Sequence, residues 1–374
     1  MKELTLRGSF HEMGVQYGRA CAKEIKTFAK MAYVMASLAH KPGSQPFNPN
    51  MWYILPTFLT YKKEKSKWQQ QARAYEPLIK EHHPDALDFM RGIAAGTGLS
   101  YVDILSMNLA SENMLTCSIW GASGTSTKEN EPLIGMTADE EPATEKYELF
   151  LDYQPDHGYR YKVTAFTGWA GYNHGMNETG LAVASTLLFL KPPQEEQVRT
   201  PILVFLRILN TCATVEEAKA FFETLPDPAV GSVFYVADRE KFMRVEGCPA
   251  GREYEIVENG SLGNTNLATT ETVKPFDAIP ILKQSFNART RAKRMATLLR
   301  EYDGRIDPEV MHRIASDHGE EGTDTWYRSM CQHPRFLRYN FKTLVAFVAQ
   351  PRHKRFWIYE GNPCENRVKE YRFT

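Results

Sequence analysis

The sequence predicts an α+β protein in which β-sheets pack between helical layers, and three observations predict it. The first 115 or so residues carry almost nothing but helical patterns. From Cys117 onward short strand-like runs replace them. Those runs fall into two sets, divided by a pair of helices and followed by more helices, as expected when sheets bury one face on each other and the other under helices. No repeat period or low-complexity linker interrupts the chain, so one domain over 1–374 is expected, mostly helical over 1–116 and mixed over 117–374.

In order, Leu4 and Leu6 alternate with polar residues in a short strand closed by Gly8. Residues 10–39 read as one long helix, with Gly14, Gly18 and Ala22 making a smooth stripe that allows close packing. Residues 41–56 are broken by prolines and read as a loop, on the surface or over a pocket. Helical patterns resume over 61–80 and over 85–95, with Pro84 suited to a first turn. A helix over 101–111 follows, for which Ser100 is an N-cap. Strand patterns occupy 133–137, 147–153, 161–167, 172–176 and 181–188. The last two are joined by Asn177-Glu178-Thr179-Gly180, a hairpin turn, because Asn and Gly tolerate positive φ. Residues 191–201 form a Pro/Glu-rich loop. Helices are expected over 202–210 and 215–225, the second started by Thr214 with Glu217 in its first turn. Strands return over 232–237, 242–246, 254–258 and 262–265, and helices over 290–302 and 308–316. The Arg and Lys of the first of these mark a solvated face. The final strand pair is 343–349 and 355–359.

Composition excludes several functions. Forty-five Lys and Arg balance forty-five Asp and Glu, which leaves no footprint for nucleic acid or an anionic membrane. Hydrophobic residues at 43% and charged residues at 24% are globular usage. No apolar run is long enough to span a bilayer, and the N-terminal residues lack the apolar core of a signal peptide, so a cytoplasmic protein is expected. The six cysteines include no CxxC pair; reduced thiols are expected, with no metal and no dissociable cofactor. GxxxxGK[ST], GxSxG and HExxH are all absent. His82-His83 are adjacent and poorly spaced to share a metal. Asp317-His318 reads as a ligand, a base or a helix end.

What remains is Cys117, a buried core thiol or a nucleophile, at the head of the β region. If the chain is cut just before it, Cys117 gains an α-amine of pKa about 8 that can serve as the base for its own thiol. In the uncut chain the same thiol can attack the preceding carbonyl. A conventional thiol site using His174 or His318 is the alternative.

Arg91-Gly92-Ile93-Ala94-Ala95-Gly96, Leu105-Ser106-Met107-Asn108 with Glu112, and Thr116-Cys117-Ser118 resemble the acyl-coenzyme A:6-aminopenicillanic acid acyltransferase family. These are cysteine-type N-terminal-nucleophile (Ntn) hydrolases, which also include the β-alanyl-dopamine hydrolase of insects. The resemblance continues in order through 135–139, 175–181, Asn264-Thr265-Asn266 and Ser329-Met330-Cys331. It implies a four-layer αββα Ntn-hydrolase sandwich with a helical N-terminal segment. It also implies hydrolysis or transfer of an acyl group on a small-molecule amide or thioester, through an acyl-thioester on Cys117 exposed by cleavage after Thr116. On that resemblance Asp139 positions the thiol and amine, and the Asn266 amide donates to the oxyanion; the plain alternatives are a turn cap and a β-turn residue. Asn177, Ser329 and Gln332 are further candidates for substrate contact or support. Two positions depart from the family: Thr116, stiff at χ1, replaces a glycine, and Gln332 replaces an arginine that could pair with a carboxylate. These departures keep open an uncut, non-catalytic binding module.

Overall fold

The computed structural model describes residues 1–39, 54–110, 116–171, 173–191, 201–228, 231–278, 285–319, 329–334 and 341–374. Residues 41–53 of the segment considered as a loop over a pocket, and most of the 191–201 loop, lie outside them; 54–56 of the former open a short helix instead of continuing the loop. In chain order the elements begin with β1 (Lys2–Gly8), α1 (Phe10–Ala20), α2 (Ala22–Ala39), α3 (Ile54–Leu59), α4 (Tyr61–His82), α5 (Pro84–Thr97) and α6 (Tyr101–Ala110). The middle of the chain gives β2 (Thr116–Ser123), β3 (Leu133–Glu140), β4 (Glu148–Pro155), β5 (Tyr161–Phe166), β6 (His174–Asn177), β7 (Ala182–Leu188), α7 (Pro201–Thr211) and α8 (Val215–Thr224). The remainder is β8 (Gly231–Ala237), β9 (Phe242–Cys248), β10 (Gly251–Val257), β11 (Gly260–Asn264), α9 (Ser285–Glu301), α10 (Pro308–Ala315), β12 (Lys342–Gln350), β13 (Arg355–Glu360) and β14 (Val368–Arg372).

Two compact units are interleaved in sequence. The first comprises Met1–Met114, Tyr147–Tyr172 and Val198–Asn210. Its strands run in the order β1-β4-β5, with β1 parallel to β4. Helix α1 starts on a capping box: the Ser9 hydroxyl accepts from the Glu12 amide while the Glu12 carboxylate accepts from the Ser9 amide. The expected long helix breaks at Cys21, beside the point where Lys2 of β1 donates to the Ala20 carbonyl at 2.5 Å. The glycine stripe of α1 meets a matching stripe on α5. A Cβ on Gly14 would stand 2.2 Å from the Phe89 carbonyl oxygen, and one on Gly92 would stand 2.1 Å from that of His11. Only glycines permit this crossing, which explains why both helices carry them four residues apart.

The second unit comprises Leu115–Lys146, Asn173–Gln197 and Thr211–Thr374. It contains a run of strands β6-β7-β8-β9-β10, antiparallel throughout, and a six-stranded sheet of order β11-β2-β3-β12-β13-β14. The two pack face to face through β2 and β3 against β7 and β8. Helix α8 covers β8 on one side, while α9 and α10 cover β11, β3 and β12 on the other. The predicted α+β class and its αββα layering are therefore observed. The outer layer is a dry cluster in which Trp120, Leu133 and Val348 pack on Met295, Leu298, Met311 and Ile314. Each such side chain contributes about 1.5–3 kcal/mol by leaving water.

The Asn177–Gly180 turn forms as expected, with Gly180 at φ +99° and its amide donating to the Asn177 carbonyl at 3.0 Å. Thr214 caps α8 by accepting from Glu217. The final strand pair gains a third member, β14, whose largely exposed residues give little hydrophobic pattern to read. Among the described residues no helix is long and apolar enough to cross a membrane.

Candidate active site

Period-two alternation along β2 sends its residues to opposite faces. Ser118 and Trp120 face α9 and α10, while Cys117 and Ile119 face the other sheet. Cys117 is fully buried. Its Sγ accepts a hydrogen bond from Asn173 Nδ2 at 3.2 Å. Asn173 is oriented by its neighbour: His174 Nδ1 lies 2.9 Å from Asn173 Oδ1. Because that oxygen can only accept, the imidazole donates from Nδ1. Burial pushes the His174 pKa down to about 3, so the ring is neutral. His174 thus contacts Asn173, and the amide of Asn173 is what meets the thiol.

On the helical side, Arg291 of α9 is 1% exposed. Its Nη1 donates to the Cys117 carbonyl at 2.9 Å and to Ser118 Oγ at 2.8 Å, and Nη2 donates to Asn266 Oδ1 at 2.8 Å. Nε donates to Asn287 Oδ1 at 2.6 Å, one helical turn earlier. Asp139 Oδ2 is 4.0 Å from Nη1, so a titratable carboxyl faces the buried guanidinium. The solvated face expected for this helix holds for Arg289, Lys293 and Arg300, which are exposed, but not for Arg291, which falls in a buried stripe with Ala288, Met295 and Leu298. That spacing was the available signal, since Arg291 lies in the apolar phase of its helix.

Asp139 sits on β3 opposite Thr116, and Ala138 sits opposite Cys117. Thr343 Oγ1 donates to its Oδ1 at 2.5 Å, and Gln332 Nε2 donates to its Oδ2. Thr343 in turn accepts from the Gln332 amide at 2.8 Å, so these two residues form one clamp. Burial pushes the Asp139 pKa up to about 7, against the opposing pull of Arg291, Thr343 and Gln332. Gln332 therefore does not leave the carboxyl without a partner or a nearby cation, because the cation comes from α9. Burial, with the adjacent Asp139 and Glu140 carboxylates, pushes the Cys117 thiol well up.

Asn266 reaches the same network in a left-handed conformation, φ +72°. Both hydrogens of its amide are engaged, one by Thr186 Oγ1 at 2.8 Å and one by the Leu187 carbonyl at 2.9 Å. Its orientation is fixed because its oxygen accepts from Arg291. The structure thus joins Cys117, Asp139, Asn266 and Gln332 through Arg291 and Thr343. Asn177 serves its own turn: its oxygen accepts from Thr179 and Leu181, and its amide donates to the Cys212 carbonyl at 2.7 Å. Ser329 donates to the Cys331 carbonyl at 2.9 Å and shapes the segment that leads to Gln332. Asn173 and Thr343 were missed in the sequence because they become significant through contacts far along the chain, and Asn287 because its role is to hold Arg291.

No curated protein sequence matches the chain significantly. Among solved structures, a Caenorhabditis elegans ortholog of N-acylethanolamine-hydrolyzing acid amidase is 14% identical with a TM-score of 0.46, covering 63% of this chain and 93% of its own. A mutant of the conjugated bile acid hydrolase of Clostridium perfringens is 14% identical with a TM-score of 0.43, covering 68% and 97%. A second variant of that hydrolase is 15% identical with a TM-score of 0.42 over the same shares. The family model described as acyl-coenzyme A:6-aminopenicillanic acid acyl-transferase matches residues 126–365, well over half of the chain, and the protein belongs to that family.

Proposed function

We propose that this protein is a self-processing cysteine Ntn enzyme that hydrolyses the amide bond of an N-acyl small molecule through an acyl-thioester on Cys117. The observation that carries the reading is the set of polar groups converging on one residue: an amide on its sulfur, a guanidinium on its carbonyl, and a clamped carboxyl across the strand from its preceding residue. A core thiol needs none of these.

In the uncut chain the thiol adds to the Thr116 carbonyl and the Cys117 nitrogen leaves, giving a thioester that water opens. The freed α-amine, of pKa about 8, then takes the thiol proton as Sγ attacks an acyl carbonyl, and returns a proton to the departing amine. This offsets the burial that holds the thiol protonated. Asp139, opposite Thr116 and titrating near neutrality, holds the new ammonium. Asn173 supplies a donor to the oxyanion beside Sγ. Asn266, with both amide hydrogens engaged, acts by holding Arg291. Water is the acyl acceptor, since transfer needs a second pocket that excludes it.

The test is acyl-enzyme partitioning. Incubation with N-acyl amides, followed by peptide mapping, is expected to find an acyl group on Cys117 that decays at a rate independent of added amine. Decay accelerated by amine, with N-acylated product, points to acyl transfer. Absence of any adduct from amides, esters or thioesters overturns the catalytic reading.

A further inference from the structure

Elsewhere in the second unit, four side chains of a different kind converge, from buried Cys331 to exposed Cys364. His318 follows α10, Cys331 and His333 flank Gln332, and Cys364 lies in the short 3-10 turn Pro363–Glu365 after β13. Their ligating atoms all lie within 4.8 Å of one another. His318 Nε2 is 3.2 Å from His333 Nε2, Cys331 Sγ is 3.6 Å from it, and Cys364 Sγ is 3.5 Å from it.

We propose that His318, Cys331, His333 and Cys364 form a structural zinc site. A tetrahedral ion with Zn–N about 2.0–2.1 Å and Zn–S about 2.3 Å sets its ligands about 3.3 Å apart for two nitrogens and about 3.6 Å for sulfur and nitrogen. The observed 3.2, 3.5 and 3.6 Å are these edges. Hydrogen bonding accounts for them poorly. A neutral imidazole offers His333 Nε2 one hydrogen or one lone pair, yet three neighbours crowd it, two of them thiols that are weak donors. A two-nitrogen, two-sulfur set of this shape selects zinc over harder cations, and four protein ligands leave no open position for catalysis.

The surrounding bonds fix the ligands as a metal site requires. Asn362 Nδ2 donates to Cys331 Sγ at 3.4 Å and to the Gln332 carbonyl at 2.8 Å. The Cys331 amide donates to the Asp317 carbonyl at 3.0 Å, next to His318. Arg294 of α9 grips the Asp317 carboxylate from 2.6 Å. The ion would therefore staple the end of α10, the 329–334 segment and the turn after β13. Gln332 stands between two ligands, so the staple also sets the side chain that holds Asp139. No metal is expected from the sequence, which has no CxxC pair and offers His318 as an isolated possible ligand. Here the spacing is made by the fold, and the sequence shows only Cys331-x-His333.

The experiment uses untagged full-length protein purified without chelators and measures its metal by plasma mass spectrometry. About one zinc per chain is expected, a value lost in Cys331→Ser and His333→Ala and retained in Cys248→Ala, a buried thiol elsewhere. If a ligand variant fails to fold, chelator-stripped wild-type protein is titrated with cobalt. The expected result is thiolate-to-cobalt charge-transfer absorption and tetrahedral d–d bands that saturate at one ion per chain and are lost in C364S, whose substitution lies at an exposed position. Protein isolated with substoichiometric metal whose stripped form gives no thiolate–cobalt spectrum overturns the proposal. So does a Cys331–Cys364 disulfide in protein isolated anaerobically. Neither readout depends on catalytic activity, so failure here leaves the reading of Cys117 untouched.

Discussion

Cys117 and Cys331 are both buried thiols of the same unit, and each is surrounded by a different chemistry. Cys117 meets an amide donor and lies beside a guanidinium and a carboxyl, and the His174 imidazole stands one residue removed, behind Asn173. Cys331 has an imidazole 3.6 Å away, and a second imidazole and a second thiol in the same cluster. The first environment suits a sulfur that must gain and lose an acyl group. The second suits a sulfur that never moves. Burial alone tells the two apart no better than sequence does; the difference lies in which polar groups the fold aims at each thiol.

The sharpest break in that comparison is Cys117→Ala. Loss of the nucleophile is expected to lower kcat on the order of 10⁴-fold or more and to leave the chain uncut, whereas Cys331→Ser leaves processing intact wherever the variant folds. Acyl-enzyme mapping and intact mass read both. Next in size is Asn173→Ala, which removes the amide beside the sulfur. A loss of about 10²–10³ in kcat with little change in KM is expected from steady-state kinetics.

Asn266→Ala acts through Arg291, and displacing that fork is expected to cost about 10² in kcat. If Asn266 itself donates to the oxyanion, its loss instead equals that of Asn173→Ala.

A smaller effect is carried by pH. The folded protein holds the Asp139 proton up to about pH 7, well above an exposed aspartate. Its contribution to stability is fully present below about pH 4 and is lost as pH rises through about 7. Urea midpoints of the wild type should therefore fall relative to Asp139→Asn across that window. Gln332→Leu deletes a donor that favours the carboxylate and should move the window upward, and Gln332→Arg should move it down.

How far these features could be read from the chain varies by type. Hydrophobic period placed most strands and helices, and turn chemistry placed the Asn177–Gly180 hairpin, because both are local. The break in the first helix falls where a residue of another element, Lys2, bonds the Ala20 carbonyl, a contact with no local signature in the sequence. The ordered resemblance singled out Cys117, Asp139 and Asn266, and the fold places all three against Arg291. Arg291, the residue that joins them, looked like one more charge on a basic helix, and only its phase within the apolar stripe marked it as buried. Of the His–Cys cluster only His318 was marked as a possible ligand, because the four members are brought together by the end of α10, the 329–334 segment and the turn after β13.

The central claim turns on the bond between Thr116 and Cys117, where a β-branched residue precedes the proposed nucleophile. Intact-mass measurement of freshly purified wild-type protein tests it directly. The account predicts two fragments that meet at Thr116/Cys117, and a single 42.7 kDa species for Cys117→Ala. A wild type that persists as the 42.7 kDa chain, indistinguishable in mass behaviour from Cys117→Ala, would contradict it.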